Sequence, residues 1–139
     1  IESESNYTVT IPSTASNVLA VAAYNNLDNS LYVSNSRGPA IDGAQKPILT
    51  APGVNVEGIL PTGKGTMSGT SVAAAITSGA TALMLEWAFL NNNEPLFNTT
   101  AAISFLIDGC DRKETLEYPN YQWGYGTLDL YHAFEIVYT

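Results

Sequence analysis

A chain of 139 residues, 45% of them hydrophobic, has the length of one domain and can bury a single core. Its formal net charge of −8, with only five Lys and Arg residues, argues against a surface that binds nucleic acid or an anionic membrane. The single cysteine, Cys110, excludes an intrachain disulfide and leaves the cellular compartment open.

The first part of the chain predicts short strands separated by turns. The β-forming residues 7–11 predict a strand that Pro12 stops, and the apolar run 18–24 predicts a strand covered on both faces. Further short strands are predicted at residues 31–33, 47–51 and 54–60. Residues 61–68 are predicted to be a loop, in which Gly63-Lys64-Gly65-Thr66 does not complete the glycine pattern of a nucleotide-binding P-loop.

The second part of the chain predicts helices. A long Ala-rich segment predicts a helix over about residues 70–90, and its Thr and Ser residues and Glu86 favour a buried helix of a soluble protein over a membrane span. Its small residues predict close packing on a sheet: Ala73, Ala74, Ala75 and Gly79. After it the sequence predicts a stop at 91–95, a helix over 99–107 capped by Asn98 or Thr99, a surface segment over 108–122 and a closing helix over 128–136.

Ser71 stands where a turn of small residues runs into the long predicted helix. A serine in this place has its side chain at the surface end of a rigid element, and the unpaired N–H groups of the first helical turn favour negative charge. The position therefore suits a nucleophile whose own N–H contributes to an oxyanion hole. The alternative is structural, because Ser and Thr are common helix N-caps that only satisfy backbone donors.

Four segments, in the same order along the chain, resemble the subtilase family of subtilisin-like serine proteases. Gly69-Thr70-Ser71-x-Ala73-Ala74, followed by Gly79, resembles the nucleophile segment of that family. The other three are Val33-Ser34-Asn35-Ser36-Arg37-Gly38-Pro39, Ala51-Pro52-Gly53-Val54-Asn55-Val56 and Gly124-Tyr125-Gly126-Thr127-Leu128-Asp129. The resemblance covers nearly the whole chain and implies an α/β fold, with a mostly parallel sheet flanked by helices, in which residues 1–139 are the carboxy-terminal part of the catalytic domain.

The resemblance also implies roles for individual residues. Ser71 would be the catalytic nucleophile and one donor of the oxyanion hole, and Thr70 would stand beside that hole. Thr10 would lie near the floor of the primary substrate pocket, and Pro12 falls where the family often has a cis proline. The implied activity is that of a serine endopeptidase, with a peptide or protein as its substrate.

The other members of a catalytic triad are missing from this chain. Subtilases carry Asp, His and Ser in that order, and no histidine precedes Ser71 here. The Asn that donates to the oxyanion lies in a Gly-Asn-x-Gly-like loop in the family and should come just ahead of Tyr7; it is missing too, because Asn6 lacks that setting. The resemblance therefore implies that an absent amino-terminal half supplies these groups and that the isolated chain is inactive. A non-catalytic regulatory or scaffolding pseudoprotease is the alternative.

The chain also contains Ser, Asp and His residues in the order that a second class of hydrolases uses for its catalytic triad. Ser, then Asp, then His is the order of α/β-hydrolases, and the chain offers Ser71, then Asp108, Asp111 or Asp129, then His132. That fold requires Gly-x-Ser-x-Gly, whereas Ala73 stands at the fifth position. We therefore interpret His132 as a partly buried residue of the closing helix.

The sequence predicts no cofactor, and neither nucleic acid nor a membrane as a partner. Calcium is common in subtilases, but Asp28, Asp42 and Glu57 lack the dense oxygen-ligand pattern of a calcium loop. These side chains are interpreted as solvated carboxylates of turns.

Within the family, the chain looks most like a clostridial-type subgroup that includes the spore-germination proteases. The similar stretches are 71–75, 85–87 and 123–131. Ala75 and Ile76 depart from the Pro and His that most subtilases carry there, a change that should alter rigidity more than chemistry. Some members of this subgroup are pseudoproteases.

Overall fold

The computed structural model describes residues 5–90, 93, 94 and 96–137, and a small mixed sheet organises them. Strand β1, Val21–Asn25, lies in the middle. It pairs antiparallel with β2, Ser30–Leu31, and parallel with β3, Leu49–Pro52. The register places Val21 opposite Leu49 and Tyr24 opposite Pro52. Three helices accompany the strands, so the predicted α/β class is confirmed.

Helix α1, Thr70–Leu85, packs on β1 and β3 and continues as a π-helical turn, Glu86–Leu90. The residues that face the sheet recur at helical spacing, and they are Ala73, Thr77, Ala80 and Met84. The strands beneath are rich in alanine, which lets the helix axis approach closely. The continuous helix predicted over residues 70–90 is confirmed.

The opposite face of α1 is exposed. The prediction of close packing is right for Ala73 and wrong for Ala74, Ala75 and Gly79, because a helix turns by about 100° per residue and these three point away from the sheet. By length and composition Thr70–Leu90 would also suffice to cross a membrane, a test that core helices pass too. One face of this helix contacts β1 and β3, and 28% of its apolar window is buried.

Two predictions for the first part of the chain are wrong. Residues 61–68 do not form a loop, because β5, Gly63–Met67, pairs antiparallel with β4, Val56–Leu60, across a two-residue turn. Residues 7–11 do not form a strand, because Tyr7 has a positive φ of 58° and only Tyr7 and Thr8 reach a neighbouring segment, at Gly38 and Arg37. The cis proline is confirmed, since the Ile11–Pro12 bond is cis.

Helices α2, Thr99–Asp108, and α3, Leu130–Val137, cover the end of α1. The Asn98 side chain accepts the Ala101 N–H at 3.1 Å, which confirms the predicted cap. The rings of Trp87, Phe105 and Phe134 meet with centroids 5.6–5.8 Å apart and join the three helices. The stop predicted at 91–95 includes positions 91, 92 and 95, which lie outside the described residues.

The segment between α2 and α3 returns to the sheet. Tyr125 N–H donates to the Ile48 carbonyl at 2.7 Å, and Leu128 N–H donates to the Thr50 carbonyl at 2.8 Å, so this segment runs along β3 as a further parallel neighbour. The surface segment predicted over 108–122 is exposed along most of its length, but Gly109 and Cys110 at its start are buried.

Candidate active site

Ser71 lies in the first turn of α1 and is exposed. The residue that caps the helix is Gly69, which has no side chain and a φ of 147°, so Ser71 does not serve as the cap. The Gly69 carbonyl accepts the N–H groups of Val72 and Ala73 at 3.1 and 3.3 Å. Among the described residues none forms a hydrogen bond with the Ser71 hydroxyl. The hydroxyl and the N–H of Ser71 are thus both available to a ligand.

A pair of glycines fixes the start of α1 to the sheet. Gly69 N–H donates to the Gly53 carbonyl at 2.7 Å, and Gly53 N–H donates to the Tyr24 carbonyl of β1 at 2.9 Å. A Cβ atom at Gly53 would lie 2.6 Å from the Ala23 Cβ and 2.8 Å from the Gly69 oxygen. Only glycine fits this close approach, which explains why the Ala-Pro-Gly segment needs glycine at its third position.

A polar cavity of about 140 Å³ lies beside this helix start. Thr70 and Thr10 both line it, although 59 positions separate them in the sequence. The same cavity is also lined by three serines, Ser13, Ser34 and Ser36. The cavity therefore brings together the residue expected near the oxyanion hole and the residue expected in the substrate pocket. Ser71 is not part of the lining and follows Thr70 on the helix.

Asn35 holds one wall of the cavity in place. Its Nδ2 donates to the Ala23 carbonyl at 2.7 Å, and its Oδ1 accepts the Ala23 N–H at 2.9 Å. The side chain thereby pairs with β1 as another strand would. Sequence reasoning did not assign Asn35 a role, although its place in the Ser-Asn-x-Gly-Pro segment was a signal.

His132 is exposed on α3, which contradicts the interpretation of a partly buried histidine. The buried neighbour on that helix is Ala133, and His132 points elsewhere. The Asp129 Oδ1 accepts the His132 backbone N–H at 2.9 Å, so this carboxylate caps the helix. In residues 5–90, 93, 94 and 96–137, no carboxylate is hydrogen-bonded to the imidazole of His132. The Ser, Asp, His order is therefore not assembled.

Two of the carboxylates considered for calcium take part in turns. Asp28 Oδ1 accepts the Ser30 N–H at 2.9 Å, and hydrogen bonds from Ser30 hold the pKa of Asp28 below its usual value. Asp42 Oδ1 accepts the Ala44 N–H at 3.0 Å in the same manner. Glu57 lies exposed on β4. The described residues contain no group of three or more His, Cys, Asp or Glu side chains arranged to hold a metal ion.

The described residues form an α/β protein in which an exposed serine stands at the start of a helix packed on a mixed sheet, next to a polar cavity. The model of the subtilase family, peptidase S8, matches residues 1–126, and the chain belongs to this family. Family membership accounts for the helix start at Gly69 and for the three other segments that resemble subtilases.

The chain is similar to several proteases over part of their length. The CspB protease of Clostridium perfringens superposes with a TM-score of 0.91 and 36% identity, over 96% of this chain and 30% of that one. The prenylagaramide maturation protease PagA gives 0.75 and 26%, over 94% and 46%. Pyrolysin of Pyrococcus furiosus is 42% identical over 69 residues, which are 48% of this chain and 5% of pyrolysin. The chain thus spans less than half of each of these relatives.

Proposed function

We propose that this chain is the carboxy-terminal part of the catalytic domain of a subtilisin-type serine endopeptidase, with Ser71 as its nucleophile. The observation that carries the proposal is the helix start: Ser71 is exposed and not used as a cap, and its neighbour Thr70 shares a cavity with Thr10. A peptide whose side chain enters that cavity would lie along the start of α1. Its scissile carbonyl would then be near the Ser71 hydroxyl.

The chemistry follows from these positions. The Ser71 hydroxyl attacks the carbonyl carbon, a base takes the hydroxyl proton, and the Ser71 N–H stabilises the oxyanion, with Thr70 beside it. The base then returns the proton to the leaving amine, and water hydrolyses the acyl-enzyme. Because His132 is exposed on another helix, we assign the base, its orienting Asp and the second oxyanion donor to the amino-terminal half of the domain. The isolated chain is then inactive.

An open groove supports the existence of that half. It has a volume of about 540 Å³ and lies between β1, α1 and α2. Its lining is mainly apolar and includes Val21, Ala82, Leu85 and Ile103. An apolar groove of this size suits packing by further chain of the same domain. The relatives are long enough to include such a segment, since the matched part is only 30% of the CspB chain and 46% of the PagA chain.

The likeness to CspB supports the clostridial subgroup that the sequence resembles. Because this subgroup includes pseudoproteases, a regulatory or scaffolding role remains the competing proposal. The two proposals differ in one property, namely whether a working base reaches Ser71.

The test uses the full-length polypeptide, by which we mean this chain together with the amino-terminal half proposed above. Its hydrolysis of peptides is assayed with a mixed library of fluorogenic substrates. The Ser71→Ala variant should lose at least about a thousandfold in kcat, because the nucleophile is removed. Ser104→Ala is the matched control, since Ser104 is exposed on α2 and lines neither the polar cavity nor the groove. A folded polypeptide whose residual hydrolysis is unaffected by Ser71→Ala would support the pseudoprotease.

A further inference from the structure

Lys46 carries a buried ammonium group beside the polar cavity. Its residue is only 5% exposed. The Nζ donates to the Val18 carbonyl at 2.8 Å and to the Ala15 carbonyl at 3.2 Å. Both acceptors are neutral main-chain groups in the segment that leads into β1. A lysine thus reaches across from the residues before β3 and binds a turn some 30 positions earlier.

This arrangement costs free energy that an apolar side chain would not. Burial lowers the pKa of Lys46, and the negative charge of Asp42 acts in the opposite direction. A methionine would fill similar space without the desolvation penalty of an ammonium. The Lys46 ammonium binds two carbonyl groups, which methionine cannot do. The lysine therefore helps to hold that turn in position.

The attached turn forms a wall of the cavity. Thr10 and Ser13 line the cavity at the start of the turn, where Ser13 N–H donates to the Thr10 carbonyl at 3.0 Å. Ala15, further along, donates to Pro12 at 3.0 Å and is itself exposed. The turn therefore has local bonds of its own, and the Lys46 ammonium connects it to the buried segment before β3.

The residues that follow Lys46 also contact the same cavity. Pro47 lines it directly. Ile48 N–H donates to the carbonyl of Ala20 at 2.7 Å, and Ala20 is another lining residue. One short segment is thus bonded both to the turn, through the side chain of Lys46, and to the residue before β1, through the main chain of Ile48.

We propose that Lys46 is a positioning residue for substrate binding, whose ammonium acts as a built-in cation that clamps the Ala15 and Val18 carbonyls and so shapes the cavity wall bearing Thr10. The inference rests on the proposed function, because it takes this cavity as part of the substrate site.

The experiment compares Lys46→Ala with wild type in the full-length polypeptide. The variant should raise KM about tenfold, the effect of losing one charge-assisted positioning contact, with kcat nearly unchanged. Propylammonium, which replaces the deleted atoms, should restore KM, whereas propanol should not. Lys46→Met fills the space without a charge, so it should show the same raised KM without rescue. Lys64→Ala, an exposed lysine of β5, is the matched control and should behave as wild type.

Hydrogen exchange of the amides of residues 13–18 provides a readout that needs no activity. Exchange should be faster in Lys46→Ala and slow again with propylammonium. An inactive wild type that shows this pattern would end the proposed function and leave the clamp standing. Faster exchange with an unchanged KM in an active enzyme would overturn the positioning role, and so would a variant in which KM is unchanged and kcat falls. A variant whose exchange matches wild type would overturn the clamp itself.

Discussion

The side chain of Asn35 pairs with the main chain of Ala23 in the way one β-strand pairs with another. Two hydrogen bonds of 2.7 and 2.9 Å join the Asn35 amide to the Ala23 carbonyl and N–H. Ala23 is fully buried in β1, so its polar groups have no access to water at this point. The bonds attach the loop carrying Ser34 and Ser36, and therefore one wall of the cavity, to the centre of the sheet.

Replacing Asn35 with alanine should lower the free energy of unfolding by about 2 kcal/mol, because two bonds are lost and the Ala23 N–H is left buried without its partner, whereas the Ala23 carbonyl still accepts the Tyr32 N–H at 3.0 Å. Guanidinium denaturation of the full-length polypeptide measures this change. Asn26→Ala is a suitable control, since Asn26 is exposed in the turn after β1. Equal stabilities of the two variants would show that the loop is held by other contacts.

Gly53→Ala should disturb the start of α1. The new Cβ would meet the Ala23 Cβ and the Gly69 carbonyl at 2.6 and 2.8 Å, so the helix start must move away from β1. Overpacking of this kind costs about 2 kcal/mol. Because Ser71 is displaced with the helix start, the rate at which a fluorophosphonate labels Ser71 should fall. Gly58→Ala, where a Cβ meets nothing within 4 Å, should leave both quantities near wild type. Wild-type labelling by the Gly53 variant would contradict the proposed anchoring.

Cys110 should make stability depend on alkaline pH. Burial raises the pKa of its thiol from 9.0 to about 11, and its Sγ lies 3.2 Å from the Leu106 carbonyl. Between these two pH values the unfolded chain loses the proton while the folded chain keeps it, so stability should fall as pH rises, by about 3 kcal/mol in all. The free energy of unfolding, measured from pH 8 to about 11, should therefore decrease less steeply with pH in Cys110→Ala than in wild type. Parallel curves would show that the thiol ionises normally in the folded protein.

His132→Ala should leave the labelling of Ser71 unchanged. The imidazole is exposed on α3, and the hydrogen bond that Asp129 Oδ1 accepts from His132 comes from the backbone N–H and not from the ring. The variant also keeps that cap, because the bond comes from the main chain. Measuring the labelling rate of both proteins over pH 5 to 9 checks this directly, in the range where a histidine base titrates. A large loss of labelling would revive the Ser, Asp, His order.

The parts of the fold that could be predicted are those coded locally. The helix over residues 70–90 follows from its apolar run, and the cap at Asn98 follows from one side chain. Strand β5 could not be predicted, because Gly63 and Gly65 have no strand preference of their own and the strand exists through pairing with β4. The wrongly predicted strand over residues 7–11 is the opposite case. These residues have a preference for strand structure, but they do not pair with a strand among the described residues.

The candidate site divides in a similar way. The roles of Ser71, Thr70 and Thr10 are predictions that come from short segments resembling those of a family. The contacts of Asn35 and Lys46 could not be predicted, since each joins segments that are distant in the sequence. From the sequence alone, a single lysine among turn residues is expected to be exposed. Only the folded chain shows that Lys46 is buried.

The most direct test of the account is the reaction of the folded full-length polypeptide with a fluorophosphonate, followed by mass spectrometry of the peptide that contains Ser71. We expect a phosphonylated Ser71, no label in Ser71→Ala, and normal labelling in the Ser104→Ala control. A folded polypeptide that remains unlabelled would contradict the central claim that Ser71 is an activated nucleophile, and would support the pseudoprotease.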